Sequence, residues 1–315
     1  MKCVLIRISL ASNNSKHKTS MATETNKLYK AIVLELNTLY AIEESRSMAD
    51  RIFEHFLGIT PTQRVILGSE ALQNYKSVLV ETTVKRLLNQ EPLQYVLGKA
   101  YFLDMEFDVD PSVLIPRPET EELVSLIIDS ISKNEFDNRL KIIDIGTGSG
   151  CIAVGLKHNF PDSEIFAVDL SEKAMEVAAA NAAKNKAEVN FINVDILDNK
   201  LWDLLPECNL IVSNPPYVTL AEKQFMQPNV LEHEPDMALF VPDEDPLVFY
   251  SAIMAFAKVK LTKGGHLWFE INEMFGNEMK QLALNQGFTD VNIIFDFRGK
   301  SRFLHCRKSD HQHTS

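Results

Sequence analysis

Apolar residues recur at three-and-four spacing in "LYKAIVLELNTL", "ESRSMADRIFEHFLG" and "SEALQNYKSVLVETTVKRLLNQ". That spacing gathers one apolar face on an α-helix. Gly58, Pro61 and Gly68 punctuate these segments, so residues 26–90 read as a small bundle of short, mutually dependent helices. The pattern then changes. "AYFLDMEFDVD" alternates apolar and polar positions, with "VLGK" as a turn before it, and predicts a β-hairpin linker within 91–117. Helical spacing returns in "PETEELVSLIIDSIS". Pro118 suits its first position, and Glu119, Glu121 and Glu122 favour the positive end of the helix dipole. From Lys141 onward strands and helices alternate. "KIIDIG", "EIFAVDL", "VNFINVD" and "NLIVSN" are the first four strands, with helices over about 149–159 and over "SEKAMEVAAANAAKN". A helix over about 246–261, a strand "GHLWFEI", a helix near 277–286 and two terminal strands follow. Near-continuous apolar strands alternating with helices predict a mostly parallel sheet covered on both faces.

Composition changes this picture at a few points only. A hydrophobic share of 45% and a charged share of 24% suit a globular chain with a substantial core. No apolar run approaches the ~18 residues of a membrane span, so no membrane association is expected. Cys3, Cys151, Cys208 and Cys306 show no C-x-x-C spacing, which argues against a disulfide framework or structural zinc site and for a reducing compartment. The eight histidines show no ligand spacing with acids, so no metal is expected. Net charge is −11; residues 1–20 contribute +4 through Lys2, Arg7, Lys16 and Lys18, which leaves the remainder at −15. An acidic body without a basic stripe weighs against direct nucleic-acid binding. Residues 1–25 are expected outside the fold. The basic, acid-free first twenty read either as a mitochondrial presequence or as the product of an upstream start codon, with Met21 opening the protein proper. The tail 309–315 is expected to be disordered.

Candidate chemistry gathers at the strand ends. "IIDIGTGSGCIA" places Gly146, Thr147, Gly148, Ser149 and Gly150 where the first α/β strand turns into its helix, and glycines there let a ligand approach the backbone closely. The spacing is G-x-G-x-G, with Asp144 inside the strand and Asp169 ending the next one, where a carboxylate can accept two ribose hydroxyls. This combination resembles the class I S-adenosyl-L-methionine-dependent methyltransferases. The resemblance implies a Rossmann-like, seven-stranded, mostly parallel sheet and a loop that receives an amino-acid moiety. It places Asp195, at the end of the third strand, either beside the adenine amino group or in a plain strand-end turn. Cys151 reads as a small helix-packing residue.

The fourth strand ends in "LIVSNPPYVT". Two prolines cannot continue a sheet ladder, and Asn214 emerges at the carboxyl edge of the sheet beside the glycine loop. A planar amide or aromatic amine is a poor nucleophile because its lone pair is delocalised. Two acceptors aimed at its N–H bonds would hold it and favour pyramidal geometry as charge develops. The Asn214 side-chain oxygen and the Pro215 carbonyl can be those acceptors. Pro216 stiffens the loop, and Tyr217 can pack against the planar group. A strand-ending turn explains Asn-Pro but not its coincidence with the glycine loop. Asn-Pro-Pro-Tyr alone does not name the substrate, since enzymes acting on exocyclic amino groups of DNA or rRNA share it.

"EPLQYVLGKAYFLDMEFDVDPSVLIPRPETEELV" ahead of "DIGTGSGCIA", with "NPPY" downstream, closely resembles the HemK/PrmC family, the N5-glutamine methyltransferases of peptide chain release factors. The resemblance runs over about 91–307, and "LIPRPETE" is its most specific element. It implies a cofactor site at residues 146–150, Asp169, Asp195 and Asn214, a glutamine site at residues 214–217, and a class I release factor as the protein partner, with the helical domain assisting its docking. It makes Arg117 and Glu119 candidates for shaping the substrate pocket, with helix capping as their alternative role. Glu234 and Pro235 match the family's loop near that pocket. Two departures stand out. "FVPDEDPLVFY" replaces a glycine-rich turn, so that Asp245 and Pro246 read as a helix N-cap and first residue. Ile196 stands where some relatives carry a tryptophan. The expected activity is therefore glutamine N5 methylation in translation termination, in the cytoplasm or, if residues 1–20 act as a presequence, in mitochondria. A cofactor-binding adaptor without catalysis is the remaining rival, opposed by the intact Asn214. The expected organisation is an extension (1–25), a helical domain (26–90), the hairpin linker (91–117), a methyltransferase domain (118–308) and a tail (309–315).

Overall fold

A computed structural model describes residues 17–67, 74–131 and 140–310. The expectations for residues 1–16 and 311–315, and the punctuating Gly68, lie outside these. The chain divides into two compact units, Met1–Leu97 and Gly98–Ser315.

The first unit holds helices α1 (His17–Leu36), α2 (Ile42–Leu57), α3 (Pro61–Leu67), α4 (Asn74–Leu88) and α5 (Leu93–Leu97). Helix α1 begins within the stretch expected outside the fold; Met21, Ala22, Glu24 and Lys27 are good helix formers that continue the amphipathic run that follows. Ile32, Val33 and Leu36 meet Ala49, Ile52 and Phe53, and Val80, Val84 and Leu87, in one buried core. Gly58 ends α2 at φ 65°, its N–H bonded to the Glu54 carbonyl at 3.0 Å, a left-handed cap that costs glycine little. Helix α5 lies in "LQYVL", before the turn residue Gly98 (φ 68°). Arg86 ties it to α4, with its guanidinium on Glu91 and on the Val96 carbonyl at 3.2 Å.

The second unit opens with the hairpin β1 (Lys99–Phe102) and β2 (Met105–Asp108). Leu103 and Asp104 turn it, both at positive φ, the conformation that matches strand twist in two-residue hairpins. Helix α6 (Pro118–Ser130) has proline in its first turn. Then come β3 (Lys141–Ile145), α7 (Cys151–Asn159), β4 (Glu164–Asp169), α8 (Glu172–Lys184), β5 (Asn190–Asn193) and β6 (Cys208–Ser213). Short β7 (Val218–Thr219), α9 (Pro228–His233), α10 (Asp236–Leu239) and β8 (Phe240–Val241) precede α11 (Val248–Lys260), β9 (Leu261–Glu270), α12 (Gly276–Asn285), β10 (Phe288–Phe295) and β11 (Ser301–Lys308). The hairpin packs onto this unit: Asn181 of α8 exchanges hydrogen bonds with the Asp108 backbone at 2.7 and 2.9 Å.

The main sheet runs β10-β11-β9-β6-β3-β4-β5. The five strands from β9 to β5 are parallel, and β11 and β10 are antiparallel to their neighbours. Alternate residues feed opposite cores. Ile143 and Ile145 face α11 and α12 through Ile253, Phe256 and Met279, while Ile142 faces α6 and α7 through Leu123, Ile127 and Val154. The chain leaves β3 towards β4 on one side, and β6 returns on the other. The sheet therefore has its topological switch point between β3 and β6, where open α/β sheets form a ligand crevice outside the carboxyl ends of the strands.

Candidate active site

Ile145 pairs with Ser213 across β3 and β6, and the Ser213 hydroxyl donates to the Ile145 carbonyl at 2.6 Å. The residues just beyond each strand, Gly146 and Asn214, are thus neighbours; a Cβ on Gly146 would stand 3.9 Å from the Asn214 carbonyl oxygen. A cavity of about 380 Å³ opens at this edge, within the range of small-molecule sites. Gly146, Thr147, Gly148 and Ser149 line it together with Asn214, Pro215 and Pro216, and Asp169, Asp195 and Arg117 line it too.

Gly146, Gly148 and Gly150 have φ of 73°, 54° and 81°, values that L side chains adopt only under strain. Gly150 is not part of the wall. A Cβ there would meet the Ala178 Cβ at 3.1 Å, so this glycine lets α7 approach α8. The loop is held by two acids. Asp169 accepts Gly148 N–H through Oδ2 and Ser171 N–H through Oδ1, each at 2.9 Å, and burial raises its carboxyl above the ordinary value. Asp144 accepts the Thr147 hydroxyl at 2.6 Å and Ala153 N–H at 3.2 Å, both through Oδ2. Its Oδ1 is buried without a partner, and burial pushes its pKa up to about 7. Asp195 lines the cavity and also accepts Leu197 N–H at 2.9 Å, the turn contact weighed for it. Ile196 is part of the wall, and Trp202 donates its indole N–H to the Ile196 carbonyl at 2.9 Å.

Arg117 makes no capping hydrogen bond to α6. Its guanidinium instead reaches Glu234 at 2.5 Å, and the Glu234 side chain is only 1% exposed. Glu119 is not in the cavity wall; its neighbour Thr120 is. Tyr217 also lies outside the wall. Its ring packs on the core and its hydroxyl donates to Glu270 Oε1 at 3.1 Å, where burial and the carboxylate raise its pKa. That contact anchors the loop. Asp245 and Pro246 do not start α11. They form a turn, with Val248 N–H on the Asp245 carbonyl at 3.3 Å, and the helix opens at Val248.

Two residues that sequence reasoning missed complete the arrangement. Asn214 Nδ2 donates to Thr120 Oγ1 at 3.1 Å, and Thr120 Oγ1 donates to Glu270 Oε2 at 2.7 Å. Thr120 lies inside "RPETE", and Glu270 is the lone acid ending an apolar strand, which is itself the signal of a partnered buried charge. Among the described residues no group of His, Cys, Asp and Glu could hold a metal ion, and no helix is long and apolar enough to cross a membrane.

A glycine loop facing Asn-Pro-Pro at adjacent strand ends, on a seven-stranded sheet with this order, defines a Rossmann-like methyltransferase. Residues 123–233 match the methyltransferase small domain, and residues 28–98 match the PrmC N-terminal domain. A release factor glutamine methyltransferase from Flavobacterium psychrophilum is 40% identical over 272 residues, covering 86% of this chain and 95% of that protein. One from Bacteroides thetaiotaomicron is 41% identical over 286 residues, 89% and 98% of the two chains. Among solved structures, a methyltransferase from Pyrococcus furiosus aligns over 73% of this chain and 99% of its own at 16% identity, with a TM-score of 0.47. The chain belongs to the release factor glutamine methyltransferase family.

Proposed function

We propose that this protein transfers a methyl group from S-adenosyl-L-methionine to the N5 amide nitrogen of the glutamine in the Gly-Gly-Gln loop of a class I peptide chain release factor. The observation that carries the reading is the Asn214 amide. Its nitrogen is committed to Thr120, which leaves its oxygen as an acceptor at a cavity shared with the glycine loop. The named activity of relatives 40% and 41% identical over nearly their full length supports the same substrate.

The cavity residues fit this cofactor. The positive-φ glycines bring backbone close to a ligand. Asp169, which lines the cavity, retains lone pairs for ribose hydroxyls. When bound, the cofactor supplies the methyl group as an electrophilic sulfonium carbon. Asn214 Oδ1 and the Pro215 carbonyl would accept the two N–H bonds of the substrate amide and turn its lone pair towards that carbon. The cofactor would supply the methyl group and keep the C–S electron pair, and the two acceptors would release the displaced amide proton to solvent. The helical unit is assigned to docking the release factor, and the cytoplasm is the assigned compartment. An N-terminal mass measurement of the mature chain tests the alternative that residues 1–20 are a cleaved presequence.

Incubation with methyl-labelled cofactor and either release factor or bulk RNA and DNA tests the reaction. Label is expected in release-factor glutamine, with a drop of roughly a hundredfold or more in Asn214→Ala, comparable to losing one preorganised transition-state hydrogen bond. Label confined to nucleic acid would overturn the substrate, and undiminished labelling by Asn214→Ala would overturn the role of that residue.

A further inference from the structure

Both ends of the Asn214–Tyr217 segment are tied to one carboxylate. Glu270, the last residue of β9, is 1% exposed. Its Oε2 accepts the Thr120 hydroxyl at 2.7 Å and its Oε1 accepts the Tyr217 hydroxyl at 3.1 Å. Thr120 Oγ1 in turn accepts Asn214 Nδ2 at 3.1 Å. The three contacts come from α6, from the segment after β6 and from β9, elements distant in sequence. Arg302 on β11 and Glu119 on α6 act on the same carboxylate with opposite sign.

The direction of this chain follows from donor counting. An ionised carboxylate only accepts, and a hydroxyl owns a single proton. With that proton on Glu270, Thr120 can only accept from Asn214, and of the two ends of a primary amide only the nitrogen donates. The two orientations of an asparagine amide have nearly the same shape, so packing alone does not choose between them; the hydrogen-bond network does. We propose that Glu270, acting through Thr120, is the positioning residue that turns the Asn214 amide oxygen towards the substrate. Tyr217 holds the other end of the same segment on the same carboxylate. A reversed amide would present N–H to N–H and repel the group it has to hold. This assignment rests on the proposed glutamine methylation for its catalytic consequence but not for its hydrogen-bond geometry.

Kinetics of Thr120→Val, Thr120→Ser and Glu270→Gln, together with a neutron structure of the wild-type protein, test it. Valine keeps the shape of threonine and removes the acceptor, so kcat is expected to fall roughly 10- to 100-fold, the range for a misoriented reacting group. KM for the release factor and affinity for S-adenosylmethionine should stay within about twofold. Serine restores the hydroxyl and is expected to recover most of kcat, whereas glutamine, which offers one acceptor where the carboxylate offered two, should behave like valine. In the neutron structure both Asn214 Nδ2 deuterons belong to the nitrogen facing Thr120, and the Thr120 hydroxyl deuteron points at Glu270. Equal kcat for the valine and serine variants would overturn the positioning role, as would losses that follow melting temperature alone. Nδ2 deuterons directed into the cavity would overturn it whatever the substrate. A wild-type protein that leaves release-factor glutamine unmethylated would instead refute the proposed function, and the neutron result would still decide the orientation.

Discussion

Asp144 is fully buried in the sheet, and desolvation raises its pKa from 3.8 to about 7 against the opposing pull of Thr147 and Ala153. Across that interval the folded protein binds a proton that the unfolded chain has released. Its contribution to stability is therefore complete below about pH 4 and is lost as pH rises towards 7, by about 1.4 kcal/mol for each unit of pKa shift. Urea denaturation of the wild type and Asp144→Asn between pH 4 and 8 should show the wild type losing ground to the variant up to about pH 7, then a constant difference. A flat difference throughout would mean that the ionised form is compensated in the fold. At this scale the sequence was legible wherever the chemistry lies on contiguous residues: the glycine loop and Asn214 to Pro216 reach the cavity as their order implies. Thr120 and Glu270 are separated by 150 positions and meet only because α6 packs against β9. No local pattern encodes that meeting. The Tyr217 hydroxyl is held by the same Glu270, a contact equally invisible in the residues around it.

Element boundaries were legible where a period could develop. Strands β3, β4 and β6 and helices α6, α7 and α8 repeat apolar positions over enough residues to declare their geometry, and a mostly parallel sheet follows from their alternation. Helices α5, α9 and α10 and the two-residue strands β7 and β8 are too short to show any period. The start of α11 was misplaced because Asp-Pro satisfies the rules for a turn as well as those for a helix start. At the N-terminus of α6, Arg117 was open to two readings, and its ion pair with Glu234 excludes capping. Arg117→Ala would leave the Glu234 carboxylate, already one oxygen short of a partner, without the cation it pairs with. A loss of roughly 2 kcal/mol is expected, less than the ~3–5 kcal/mol of a fully buried pair, because Arg117 keeps 33% exposure. Adding Glu234→Gln should recover part of that loss, as chemical denaturation of the single and double variants will read. Equal stability of Arg117→Ala and the wild type would reduce the pair to a surface contact.

At the scale of the whole molecule the described residues form one hydrophobic core in the first unit and two, one on each face of the sheet, in the second, and every wall residue of the cavity belongs to the second unit. Separate cores mean that damage to the first should not reach the cofactor site. Phe53, fully buried among Ile32, Leu36 and Val84, is the place to apply it. Phe53→Ala removes a large side chain from a core that cannot fully collapse around the gap, at a cost of about 3–5 kcal/mol. S-adenosylmethionine, by contrast, stabilises whatever contains its site, by about 2.7 kcal/mol at a hundredfold excess over its dissociation constant. Because the two perturbations act on residues that share no partners, their effects should add. Calorimetric titration of Phe53→Ala is then expected to return the wild-type cofactor affinity within about twofold, while the methylation of release factor falls if the helical unit docks it. Cofactor affinity that falls in step with the stability of the helical unit would show that the two units fold as one.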